Sequence, residues 1–161
     1  MSLRLESGEL LRRAWDQLSL LPGGKLAFSK LIGTVAPYTG TINARVLDLA
    51  PGYARVEMRD RRGLRNHLRS VHAVALANLA ELCSGVAMSY ALPADGRGIL
   101  VGLEIEYLKK ARGRLIAESQ FASPDSSDRG EHRVPVAISD QAGDVVVRAT
   151  ARWLVAPREP R

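Results

Sequence analysis

Asn66, His72 and Glu81 are the residues of this chain whose types and spacing could do chemistry. They lie in or just ahead of residues 71–91, a stretch that is otherwise almost wholly apolar. A carboxylate in an apolar surround is costly unless it is paired or protonated. Desolvation would push the Glu81 pKa up, toward the range of a base that works near neutrality. The first backbone N–H groups of a helix lack partners and carry partial positive charge. If a helix opens at His72 and Ala73, its first donors suit an oxygen that gains negative charge during a reaction. The Asn66 amide can both donate and accept. Each of the three also has a purely structural reading. Glu81 could lie on the only polar stripe of the helix and pair with an Arg across a dimer interface. His72 could start the helix and bond a loop carbonyl, and Asn66 could cap a short turn. Asn78, one turn before Glu81, is placed to bond it in a structural role. Cys83 reads as a small core residue, because the sequence places no basic partner beside it.

A second group is basic. Lys109, Lys110, Arg112 and Arg114 cluster at a strand end and its turn, where they suit phosphates or form an ordinary solvated turn. Another short cluster covers Arg59, Arg61, Arg62, Arg65 and Arg69.

These residues need elements to hold them. Residues 8–20 read as an amphipathic helix, with Leu10, Leu11, Ala14 and Leu18 at helical spacing. Pro22-Gly23-Gly24 ends it, and a short helix follows over 25–33. Residues 42–49 and 53–59 alternate as a strand pair around Pro51-Gly52, and 60–70 read as a loop. Residues 71–91, rich in Ala and Leu, predict a long helix apolar nearly all round, which must be surrounded by protein. Four further strands follow: one carrying Val101, Leu103, Ile105 and Tyr107, then 114–122, 132–139 and 144–155. In the last, Val145, Val147, Ala149, Ala151, Trp153 and Val155 share one face. Short turns favour an antiparallel sheet, and its apolar face needs a cover. The long helix supplies one, and a curved sheet wrapping it predicts an α+β hotdog fold. The 161 residues suit a single domain over 1–161 with an N-terminal helical extension at about 1–35.

Composition narrows the functions. Apolar residues make up 46% and charged residues 25%, as in soluble globular proteins. The longest apolar run falls short of the roughly 18 residues of a membrane span. The N-terminus has scattered charges and no apolar signal core, so the expected location is the cytoplasm, with no membrane partner. One Cys and three dispersed His offer no metal-ligand spacing, and no cofactor is expected. The net charge of +6 attracts polyanions. Nucleic-acid binding is nevertheless not expected, because too few residues precede the sheet for a helix-turn-helix and no aromatic–basic RNA motif occurs.

The spacing Asn66, His72, Glu81, followed by Leu82 and Gly85, resembles the active-site segment of hotdog-fold acyl-CoA thioesterases, chiefly the phenylacetyl-CoA and 4-hydroxybenzoyl-CoA groups. "HAVALANLAE" keeps His72, Leu79, Ala80 and Glu81 in register, and "GLEIEYLKKARGRLIAE" resembles their third strand and turn. The resemblance covers about residues 40–155. The pattern with "VHAVALANLAEL" and "YLKKARG" is nearer still to a bacterial hotdog family known as a domain of unknown function. The resemblance implies an acyl-CoA substrate, with Glu81 as base or nucleophile against the thioester carbonyl. It gives the Ala73 position an N–H donor for the carbonyl oxygen, and has Asn66 orient thioester or water, often from a neighbouring subunit. It also implies a homo-oligomer, dimer or tetramer, with Lys109, Lys110 and Arg112 near the coenzyme phosphates. Two positions depart from the pattern. Ala73-Val74 replaces Gly-Gly, so Val74 could narrow the pocket entrance. Leu100 stands where some members carry Ser or Thr. These departures support the alternative of a non-catalytic acyl-ligand-binding or regulatory hotdog protein.

Overall fold

Two turn glycines and a proline set the N-terminal layer. The computed structural model describes residues 8–158. Helix α1 (Gly8–Leu18) and helix α2 (Gly24–Val35) are separated at Pro22 and Gly23, the latter in the left-handed region at φ 76°. They pack through Trp15 and Phe28, whose rings meet edge to face at 5.1 Å. Full burial of Phe28 contributes about 1.5–3 kcal/mol. A single turn, α3 (Pro37–Gly40), follows. Here the expected strand at 42–49 starts late: Asn43 takes a left-handed φ of 51°, and β1 runs Arg45–Ala50.

Strand β2 (Tyr53–Arg59) pairs antiparallel with β1. The segment read as a loop contains one 3-10 turn, Arg62–Leu64, and a bridge between Arg65 and Val71. Helix α4 (Ala73–Ala91) ends two residues before Pro93, as chain sterics require. Strands β3 (Gly96–Tyr107), β4 (Arg114–Gln120), β5 (Gly130–Ser139) and β6 (Val145–Pro157) complete one sheet in the order β1-β2-β4-β5-β6-β3. Every neighbouring pair is antiparallel.

The sheet curves around α4, which packs against all six strands. Leu79, Ala80, Cys83 and Ala87 of α4 are fully enclosed with Val56, Met58, Leu115, Ala117 and Ile138, while Met88 packs with Val134, Ala151 and Val155. On β6 the inward alternation holds from Val147 to Val155. Val145 leaves it, because a register shift opposite Ile138 and Ser139 turns Val146 inward as well. Helix α4 is the one described helix long and apolar enough to cross a membrane, and it forms the centre of the fold.

The two sheet edges are treated differently. On β1, the Ser29 hydroxyl accepts from the Val46 N–H at 2.9 Å, and Lys25 Nζ donates to the Leu47 carbonyl at 2.5 Å. Side chains of α2 therefore engage the Val46–Leu47 part of that edge. On β3, the partner strand β6 occupies one side only, while Ile99, Val101 and Tyr107 are about half exposed. This edge runs for twelve residues with a bulge at Val101, and an open edge is a ready surface for another strand.

On the outer sheet face, Glu57 is buried between two guanidinium groups, Arg59 at 3.1 Å and Arg114. Burial alone would raise its pKa, but the hydrogen bonds from Arg114 and Arg59 outweigh this and hold it below the usual glutamate value. A folded-state pKa below the unfolded one gives stability that is present above the unfolded pKa and lost as pH falls through the folded pKa. Glu57→Gln is thus expected to cost about 1–2 kcal/mol at pH 7, tempered by the exposed guanidinium ends. In urea titrations the difference from wild type should shrink below about pH 4. A pH-independent difference would point to packing instead.

Candidate active site on the central helix

His72 sits at the N-cap of α4 with extended backbone, φ −64° and ψ 140°. Its Nδ1 accepts from the Val74 N–H at 3.1 Å and caps its own helix, and its backbone N–H donates to the Leu64 carbonyl of the preceding loop at 2.7 Å. In the neutral ring this places the proton on Nε2. Among the described residues the Ala73 N–H has no partner, which leaves it free as a donor at the helix start. The Tyr107 hydroxyl, at the end of β3, donates to the Ala73 carbonyl at 3.0 Å and ties this first turn to the sheet. Burial raises the Tyr107 pKa, keeping it a neutral donor.

Asn66 folds its own loop. Its Oδ1 accepts from the N–H groups of Leu68 (2.9 Å) and Ser70 (3.2 Å) and from the Ser70 hydroxyl (3.2 Å). The turn-capping reading is therefore realised by the oxygen, while the Nδ2 donors have no partner among the described residues. Asn66, Ala73, Tyr107, Lys109 and Lys110 line one surface depression of about 350 Å³. His72 and Val74 line another, of about 200 Å³, together with Asn78 and Arg65.

The basic turn is divided in use. Lys109 Nζ is bound to Asp140 at 2.9 Å and to Asp144, in the turn between β5 and β6. Arg112 donates to the carbonyls of Arg69 (3.2 Å) and Leu68 (3.5 Å), bracing the Asn66 loop. Arg114 is held by Glu57. Lys110 is exposed and has no partner among the described residues. Sequence reading treats the cluster as one group; the fold leaves this one ammonium free beside the depression.

Glu81 lines neither depression. It lies about 12 Å along the helix from Ala73, at 1.5 Å per residue. Its side chain is partly buried and has no hydrogen-bond or ion-pair partner among the described residues. Burial raises its pKa above the ordinary glutamate value. Asn78 does not bond it: the Asn78 amide donates to the Tyr38 carbonyl at 3.2 Å, tying α3 to α4. Glu81 shares a partly covered stripe with Val74, Ala77 and Gly85, so the long helix is not enclosed all round. A Cβ at Gly85 would stand 3.3 Å from the Trp153 ring and 3.6 Å from Glu81 Oε1. The glycine thus sits between carboxylate and indole, and Trp153 is held to α4 by its Nε1 donating to Ser84 Oγ at 3.2 Å. Trp153 and Tyr107 read from sequence only as strand residues; nothing in their alternation marks their contacts with α4. Cys83 is enclosed in the core and burial raises its thiol pKa, which makes it inert.

A six-stranded antiparallel sheet curved about one long helix is the hotdog fold, shared with thioesterases. The chain belongs to the family described as domain of unknown function DUF4442, whose model matches residues 24–155. A structural-genomics crystal structure, APC5556, is 33% identical, covers 92% of this chain and 99% of its own, and superposes with a TM-score of 0.80. A Pseudomonas aeruginosa protein of unknown function is 24% identical over 86% of this chain and 97% of its own, with a TM-score of 0.74. A thioesterase family protein from Silicibacter pomeroyi shares 17% identity over 81% and 96%, with a TM-score of 0.70. No curated protein sequence matches the chain.

Proposed function

We propose that this protein hydrolyses the thioester of an acyl-CoA at a site completed by a second copy of the chain, in the cytoplasm. The observation that carries this reading is Glu81: an unpaired carboxylate with a raised pKa on the one stripe of α4 that its own chain leaves partly covered. The Ala73 N–H lies about 12 Å along the helix from Glu81 of the same chain, and Asn66 and Lys110 line the depression at the Ala73 end, which Glu81 does not reach. Pairing of the open β3 edges would bring the Glu81 stripe of one copy toward the Asn66 end of the other. At such a site the free Ala73 N–H stabilises the carbonyl oxygen as it gains charge. Asn66 Nδ2 orients the thioester or the water. Acting as a base, Glu81 takes a proton from that water, which adds to the carbonyl carbon, and passes the proton to the departing coenzyme thiolate. Acting instead as a nucleophile, it attacks the carbonyl carbon itself, expelling a thiolate that solvent protonates, and water then cleaves the acyl–Glu81 anhydride to release the acid. Lys110 is the cation free to meet a coenzyme phosphate. The test is release of free thiol from a panel of acyl-CoA substrates by wild type and Glu81→Gln.

The second reading, an acyl-ligand binder, is favoured by Val74. Its side chain is 53% exposed on the Glu81 stripe, where the resembling enzymes have glycine. Val74→Gly is expected to raise kcat/KM several-fold by opening that approach, against a helix-propensity cost of up to about 1 kcal/mol. A change in ligand affinity with turnover at background would favour the binder. No change in either would remove Val74 from the site.

A further inference from the structure

A third cavity lies away from the Glu81 stripe, between α2–α3 and the β1–β2 hairpin. Its volume is about 760 Å³, within the range of small-molecule sites and roomier than either depression at the start of α4. Its floor is apolar, built from Ile32, Ile42, Val46 and Leu82. Leu82 follows Glu81 in the chain but points about 100° away around the helix. The rim is cationic: Lys30, Arg45, Arg59 and Arg61 face a single carboxylate, Glu57. That carboxylate is already held by Arg59 and by Arg114. Arg45 lies opposite Glu57 in the β1–β2 ladder, yet among the described residues neither Arg45 nor Lys30 has an ion-pair partner. Positive charge with no internal counter-charge, set over an apolar floor, selects a ligand that is anionic at one end and apolar at the other. An added peptide strand is a poor fit, because α2 already engages the Val46 N–H and the Leu47 carbonyl of β1.

We propose that this cleft binds an amphipathic anion, an apolar chain carrying one phosphate or carboxylate, at a site separate from the Glu81 stripe. The head group meets Lys30 and Arg45, and the chain lies over Ile32, Ile42 and Leu82. The site stands whether or not Glu81 hydrolyses thioesters.

Isothermal titration of the full chain with dodecyl phosphate and with laurate, each below its micelle concentration, tests this. Inorganic phosphate is the control. Saturable binding of at least one amphiphile, at one site per chain, is expected. The phosphate and carboxylate arms show which head group is preferred. Lys30 and Arg45 are exposed, so the double variant Lys30→Glu/Arg45→Glu should fold, and it should weaken binding about tenfold or more. Ile32→Trp, which fills the floor, should weaken the amphiphile and leave the circular-dichroism spectrum unchanged. Glu81→Gln should bind as wild type does. The proposal is overturned by absence of saturable binding to both amphiphiles, by inorganic phosphate binding as tightly as they do, or by affinity that the charge reversals leave intact.

Discussion

Glu81→Gln is expected to lower thioester hydrolysis by ~10²–10⁴-fold, the usual effect of losing a general base, and to make the fold more stable at neutral pH. Both effects come from one feature, a carboxylate that burial discourages from ionising and that has no internal partner. Its folded pKa lies above the unfolded one. The stabilising contribution of the protonated form is complete below the unfolded pKa and is lost as pH rises through the folded pKa. Wild type should therefore lose stability relative to the glutamine variant as pH climbs from about 4 toward neutrality. The acid limb of the wild-type rate profile should be displaced upward from the ordinary glutamate range by the same cause. Denaturant titrations at several pH values and thiol-release rates on the two proteins check the pair of effects. An unchanged rate would sink the catalytic role. A variant that loses stability instead would mean that the carboxylate is a structural group with a partner in the assembly.

Val101→Lys on β3 is expected to produce a chain that is folded, monomeric and inactive. Val101 is 44% exposed on an edge strand whose outer side is open, and a lysine there is a common device against strand pairing. At the β1 edge the α2 side chains already bond the Val46 N–H and the Leu47 carbonyl. Because Glu81 and Asn66 are separated within one chain, loss of the dimer should take activity to background. Sedimentation should show a species near 17.5 kDa for the variant and at least twice that for wild type. A wild-type monomer that retains turnover would contradict the shared site.

The parts of the fold written in periodicity were legible. Strand alternation in β2 and β6, the Pro-Gly and Gly-Gly breaks and the apolar run of α4 led to the hotdog arrangement, which the structure bears out. Short or long-range features were not. Four residues, Pro37 to Gly40, carry no period, so the single turn α3 leaves no signal in the sequence. The left-handed backbone of Asn43 delays β1, and a register shift near Ser139 turns Val146 inward; neither leaves a mark in composition. At the candidate site, residue types and the helix start were readable, but partners were not. Asn78 bonds a carbonyl forty positions away rather than Glu81 one turn on. Lys109 is claimed by two aspartates over thirty residues downstream. Apolarity all round α4 suggested full enclosure; small residues at Ala77 and Gly85 instead leave Glu81 partly open.

Subunit complementation tests the central claim, a thioesterase site shared between copies. Glu81→Gln removes the base. Asn66→Asp keeps an acceptor for Leu68 and Ser70 but removes the free Nδ2 donor, and each homodimer should be inactive. A purified heterodimer of the two variants, co-expressed with different tags, would hold one site with both residues intact and one with neither. The predicted result is recovery of about half the wild-type thiol-release rate, as two-fold symmetry requires. A heterodimer as inactive as its parents, with wild type active beside it, would place both residues' work within a single chain and contradict the account.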